Sequence, residues 1–180
     1  MKNRNLIISL ALLGCLTAAT GARGEGKIYV GAKGGLVQAD ISGFDPAFNF
    51  GAYGGYNLLG KDAQFAADLN GASLAAEGEV TLSVAKGDAG VFGDWDMTSI
   101  GAYAAYRHPL TDNFYVKGKL GLVRYDLDTT FASGAGIGVE TALAAGVGAG
   151  WKIGPGSIEA EITTYESDVL FLTAGFHMSF

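Results

Sequence analysis

The sequence predicts an all-β fold: an antiparallel up-and-down transmembrane β-barrel of about eight strands. Three observations carry this. First, the stretch Val169 to Phe180 alternates throughout, with Leu170, Leu172, Ala174, Phe176, Met178 and Phe180 on one face and Phe171, Thr173, Gly175, His177 and Ser179 on the other. A period of two marks a strand between two different environments. Chain ends usually fray, so a terminal strand this apolar fits a barrel in which every backbone group is paired and one face meets hydrocarbon. Second, seven further stretches alternate in the same way. Third, the chain is 49% hydrophobic and 17% charged, with 29 glycines and 3 prolines, against about 25% charged in an average soluble domain. Even so, no apolar run approaches the length of about 20 residues that a membrane helix needs.

Taken in order, residues 1–24 read as an export signal. Lys2 and Arg4 precede a short apolar run, Leu6 to Leu13, and small residues allow cleavage after Ala22 or Gly24. Loss of Lys2, Arg4 and Arg23 takes the net charge from −6 to −9. Cys15, the only cysteine, lies in a Leu12-Leu13-Gly14-Cys15 run with the look of a lipidation box, but the leucine before the glycine and the later small-residue sites favour a discarded apolar position. Residues 25–180 then form one barrel domain without cysteine, which leaves no disulfide or thiolate metal site.

The expected strands are Ile28–Val37, Phe48–Asn57, Ala63–Gly71, Met97–Arg107, Phe114–Tyr125, Thr141–Trp151, Ile158–Tyr165 and Val169–Phe180. Ser73 to Asp94, rich in Gly, Ala and acids, reads as a long loop with one alternating piece at Glu79 to Ala85. Short connections follow the second, fourth and sixth strands, and longer ones follow the first, third and fifth; this is the polarity of a barrel with short turns at one rim and loops at the other. Gly51-Ala-Tyr-Gly-Gly-Tyr-Asn57 recurs as Gly101-Ala-Tyr-Ala-Ala-Tyr-Arg107, and more loosely at Gly148 to Lys152. Tyr56, Tyr106 and Trp151 therefore share a parity and a level. With Phe180 they are expected to form an aromatic girdle at the turn rim, where rings favour the lipid–water boundary.

The opposite parity collects Lys33, Asp68, Lys117, Lys119, Glu159 and Glu161. A barrel of about eight strands is just wide enough inside for side chains to fill, and buried charges must pair. The expected network sets Lys33 and Lys119 against Glu159 or Glu161, as a plug that orients and closes the barrel. A soluble ligand-binding barrel is the structural rival, and it would reverse every strand.

Tyr29-Val30-Gly31-Ala32-Lys33-Gly34-Gly35 and Gly51 to Tyr56 resemble the first two strands of the OmpA-like small outer-membrane barrels, and His108 to Asn113 resembles that family's second periplasmic turn. Thr173, Gly175, Met178 and Phe180 resemble its C-terminal assembly signal. The resemblance implies the outer membrane of a Gram-negative bacterium, contact with lipid and lipopolysaccharide, and recognition by the outer-membrane assembly machinery. It also implies an inward Lys33 and a mixed interior network. Ala66 and Gly150 stand where acids would be expected and Glu161 near an expected Arg, so the pairs are rewired. No peptidoglycan-binding domain is expected after the barrel, so the wall-anchoring role of that family is not carried over.

Function is less legible. An acidic chain with no basic run is unsuited to nucleic acid. His177, with Ser157 and Glu159 near it at one rim, is the sole candidate for nucleophilic chemistry, and a solvated His108 adds nothing. The expectation is no catalytic activity, no cofactor and no metal site, with a narrow pore or carrier as the alternative and a lipid-modifying enzyme behind it. Asp40, Asp45, Glu77, Glu79, Asp88, Asp94, Asp96, Asp126 and Asp128 read as exposed loop acids that divalent cations could bridge to lipopolysaccharide phosphates. The extracellular partner stays unnamed.

Overall fold

The computed structural model describes residues 27–40, 42–59, 71–129, 138–166 and 169–180. The export signal, Cys15, Asp68 and the expected Ala63–Gly71 strand up to residue 70 lie outside them. Eight long strands form the barrel: β1 Ile28–Ala39, β2 Ala47–Asn57, β3 Ser73–Ala85, β4 Asp94–Pro109, β5 Phe114–Thr129, β6 Gly138–Ile153, β7 Gly156–Tyr165 and β8 Val169–Ser179. All neighbours are antiparallel. β1 pairs with β8 (Lys33 opposite Gly175), and β3 pairs with β4 (Glu79 opposite Gly101), so the sheet closes on itself without a free edge. Closure satisfies the backbone where no water can. A two-residue strand, Gly87–Asp88, adds to the start of β4. Among the described residues no helix is long and apolar enough to cross a membrane.

Side-chain parity separates two surfaces. On β6, Leu143 is 55%, Val147 67% and Trp151 53% exposed, while Ala142 and Ala144 are buried. The same alternation puts Leu36, Phe50, Ile100, Leu120, Leu122, Ile162 and Leu172 outside. The apolar face points outward, as a lipid-spanning barrel requires and the reverse of a soluble one.

Three expectations need correction. The third strand is Ser73–Ala85, the stretch read as a loop. Its outer face, Leu74, Ala76, Gly78, Val80, Leu82 and Val84, falls to small residues at Ala76 and Gly78, and its inner face there carries Glu77 and Glu79. Both features imitate a solvated loop until a partner for the acids is known. Secondly, β2 ends at Asn57 and β3 begins at Ser73, a wider separation in sequence than at β4–β5 (residues 110–113) and β6–β7 (Gly154-Pro155). Thirdly, β4 and β5 extend further at the loop rim than their periodicity suggested, so Asp94, Asp96, Asp126 and Asp128 belong to strands. Asp96 is buried and pairs with Lys86 at 3.0 Å. His108 and Pro109 close β4 rather than opening the turn.

Leu120 sits midway along β5, outward, between Ala104 and Ala145 on its neighbours. Leu120→Arg is expected to lower unfolding free energy in lipid vesicles by about 2–4 kcal/mol, the cost of a cation near the bilayer midplane. Denaturant titration checks this; a variant as stable as the parent would mean that Leu120 does not face lipid.

Candidate functional site

The barrel interior is layered along its axis. At the loop rim Trp95, Met97, Val37 and Phe171 are wholly buried with Tyr125, Leu127 and Tyr165. Phe44, from the β1–β2 connection, packs edge-on against Trp95 with ring centres 5.9 Å apart. The Trp95 indole donates to the Asp45 carbonyl at 2.8 Å, and the Asp45 amide donates to the Asp88 carbonyl at 2.7 Å. Two connections are thus latched together over an apolar cap. Beneath it lies a neutral polar layer in which Asn49 donates to the Met97 carbonyl at 3.2 Å and Thr81 and Ser99 share a 2.8 Å bond.

The central layer holds four cations and four carboxylates. Lys33 of β1 and Lys119 of β5 both grip Glu79 and Glu161; the Lys119–Glu79 contact is 3.0 Å and Lys33–Glu161 is 3.4 Å. Lys117 reaches Glu77 and Glu161 at 3.0 Å and Glu159 at 3.2 Å. Arg107 of β4 closes the lower end, with Nη2 2.9 Å from Glu77 and Nε 2.8 Å from Glu159. Tyrosines take up remaining acceptor capacity: Tyr29 donates to Glu77 and Tyr115 to Glu159, each at 2.7 Å. Rings also receive the cations, Lys119 over Tyr103 at 4.2 Å and Arg107 over Tyr29 at 4.5 Å. Each such contact adds favourable electrostatics where water is scarce.

β6 contributes room rather than charge. Gly146, Gly148 and Gly150 occupy its inner face. A Cβ at Gly146 would stand 3.0 Å from the Lys119 side chain, and one at Gly150 would collide with the Tyr115 ring.

Of the residues expected inside, Lys33, Lys117, Lys119, Glu159 and Glu161 are buried together. Glu161 and not Glu159 faces Lys33 and Lys119. Glu77 and Glu79, read as loop acids, are 3% and 4% exposed and supply the carboxylates that Ala66 and Gly150 did not. Arg107, absent from the expected set, joins them; its parity, opposite to that of Tyr106, is the signal in the sequence that turns it inward. At the turn rim Tyr56, Tyr106 and Trp151 project outward and Phe180 is half-buried. Thr173 is buried, Gly175 lies against Lys33, and Met178 is outward.

Ser157 stands opposite His177 across β7 and β8. The His177 Nδ1 contacts the Tyr53 hydroxyl at 3.0 Å and lies 3.9 Å from Glu159. Glu159 is itself held by Arg107, Lys117 and Tyr115, and all of these groups face the barrel interior rather than lipid. No cluster of metal-ligating side chains occurs among the described residues.

Residues 8–176 match the family described as outer membrane protein beta-barrel domain. No curated protein matches the chain. Among solved structures, the attachment invasion locus protein Ail of Yersinia pestis is similar with a TM-score of 0.55 at 16% identity, over 85% of this chain and 96% of that one. Neisserial surface protein A gives 0.53 at 20% identity, over 86% and 97%. The outer membrane enzyme PagL gives 0.52 at 11% identity, over 84% and 99%. At these identities the likeness is one of fold.

Glu79 lies between two lysines, so Glu79→Gln strips a shared carboxylate from both. The expected loss is about 3–5 kcal/mol of unfolding free energy, the range for breaking a buried ion pair. Asp128→Asn, at an exposed strand end, should stay within about 0.5 kcal/mol. Urea titrations of both variants in one detergent provide the comparison; equal effects would place Glu79 in solvent.

Proposed function

The chain belongs to the outer membrane protein beta-barrel domain family and resides in the outer membrane, and we propose that it is a non-enzymatic member with a structural or surface-interaction role. The observation that carries this reading is the filled middle of the barrel. Four cations balance four carboxylates across the middle of the barrel, and the Phe44–Trp95 cap covers one end. An ion crossing this layer would have to separate pairs whose members have no water to turn to. A channel or carrier needs a continuous path, and a lipid-modifying site needs a nucleophile with a base in hydrogen-bond reach. Here the space between Lys33, Lys117 and Glu161 is nearly closed, and the His177 Nδ1 is engaged by the Tyr53 hydroxyl.

In this reading the strands present lipid-facing side chains to the membrane and to lipopolysaccharide, while the acidic connections and strand ends at the loop rim meet an extracellular partner. Tyr56, Tyr106, Trp151 and Phe180 form the periplasmic girdle. Thr173, Gly175, Met178 and Phe180 serve as the signal for the assembly machinery, and residues 1–24 direct export. The names of two similar structures, a surface protein and an attachment invasion locus protein, accord with a surface role.

Two outcomes are expected. In planar bilayers the refolded barrel gives no discrete openings; reproducible unit conductance steps would overturn the plugged reading. Deletion of Phe180 lowers insertion in cells while refolding in detergent is retained. Equal outer-membrane yield of the truncated chain would remove Phe180 from the assembly signal.

A further inference from the structure

Below the charge layer the barrel does not stay filled. A cavity of about 650 Å³ opens at the turn rim, lined by inward-facing residues near the strand ends and by connection residues such as Leu59, Ala72 and Pro155. Among the described residues its charged lining is of one sign. Lys27 lies two residues before Tyr29 and Lys152 two after Gly150, so each extends the inward parity of its strand. Both line the cavity, with Arg107 at its floor. Among the described residues no carboxylate lines it. Hydrogen-bonding groups of Ser157, Ser179 and His177 complete the wall.

The charge layer above does not cancel these cations. Lys33, Arg107, Lys117 and Lys119 are matched by Glu77, Glu79, Glu159 and Glu161, and the Arg107 Nε and Nη2 are directed at Glu159 and Glu77. Among the described residues Lys27 and Lys152 are therefore surplus positive charge at the mouth of a low-dielectric funnel, which concentrates the field and raises the local density of anions. The volume is in the range of small-molecule sites.

We propose that this vestibule binds an oxyanion presented from the periplasmic side, with Lys27 and Lys152 as its direct ion partners and the serine hydroxyls as donors. The shared chemistry is that of a phosphate group, whether on a soluble molecule or on a lipid headgroup of the adjoining leaflet. The proposal is independent of the surface role above, since it concerns the opposite rim.

The test uses the folded barrel in a non-ionic detergent, titrated with inorganic phosphate while backbone amide shifts are followed by NMR. Saturable shifts at Lys152, Ser157 and Ser179 are expected, weakened at least tenfold in the Lys27→Gln/Lys152→Gln double variant. Heat-modifiable gel migration shows that the variant is still folded. Non-saturating shifts, an unchanged affinity in the double variant, or the same shifts from chloride at matched ionic strength would each overturn the proposal. Where binding is found, repeating it in nanodiscs with and without anionic phosphatidylglycerol separates the sources. Competition by that lipid assigns a headgroup; undiminished phosphate binding assigns a soluble anion.

Discussion

Eight charged side chains share a space scarcely wider than the groups themselves, and charge balance between them is the constraint on which the rest of this barrel depends. A lone ammonium or carboxylate there would cost several kcal/mol, whereas each cation here contacts at least two carboxylates. The groups come from β1, β3, β4, β5 and β7, so the network forms only when strands far apart in sequence have closed the ring in one register. A slip of one residue would turn a strand's charges into lipid and its leucines inward. The network thereby penalises wrong registers as well as holding the right one.

Other features follow from making room for it. The inner glycines of β6 yield space to Lys119 and Tyr115, and tyrosines on β1, β4 and β5 present hydroxyls or ring faces to the charges. The composition that makes the chain look unusual, many glycines and few charges, is what a narrow barrel needs when its long side chains converge at one level.

The interior changes character along the axis, from an apolar cap through neutral hydroxyls and charge pairs to a donor-rich vestibule. Buried side chains pack the described part of the loop rim, and a cavity opens at the turn rim. The two rims are therefore different chemical surfaces: one a latched set of connections bearing acids, the other a concave mouth bearing lysines.

Val169–Ser179 and the β4–β7 strands were legible because apolar residues alternate along their outer faces and bring large side chains such as Ile100, Leu120, Val147, Ile162 and Leu172 outward. β3 was not: Leu74-Ala-Ala-Glu-Gly-Glu-Val-Thr-Leu alternates as faithfully, but its middle sets Ala76 and Gly78 outside against two carboxylates inside, and acids without visible partners read as solvated. Arg107 was hidden by its place at a strand end. What the sequence determined by itself was the class of fold and the inside–outside parity of most strands, because both follow from a local period of two and from composition. Which acid meets which lysine, and that Glu77 and Glu79 are interior at all, was decided only by tertiary structure. Pairing is set by the register between strands 40 or more residues apart, and no local pattern encodes that distance.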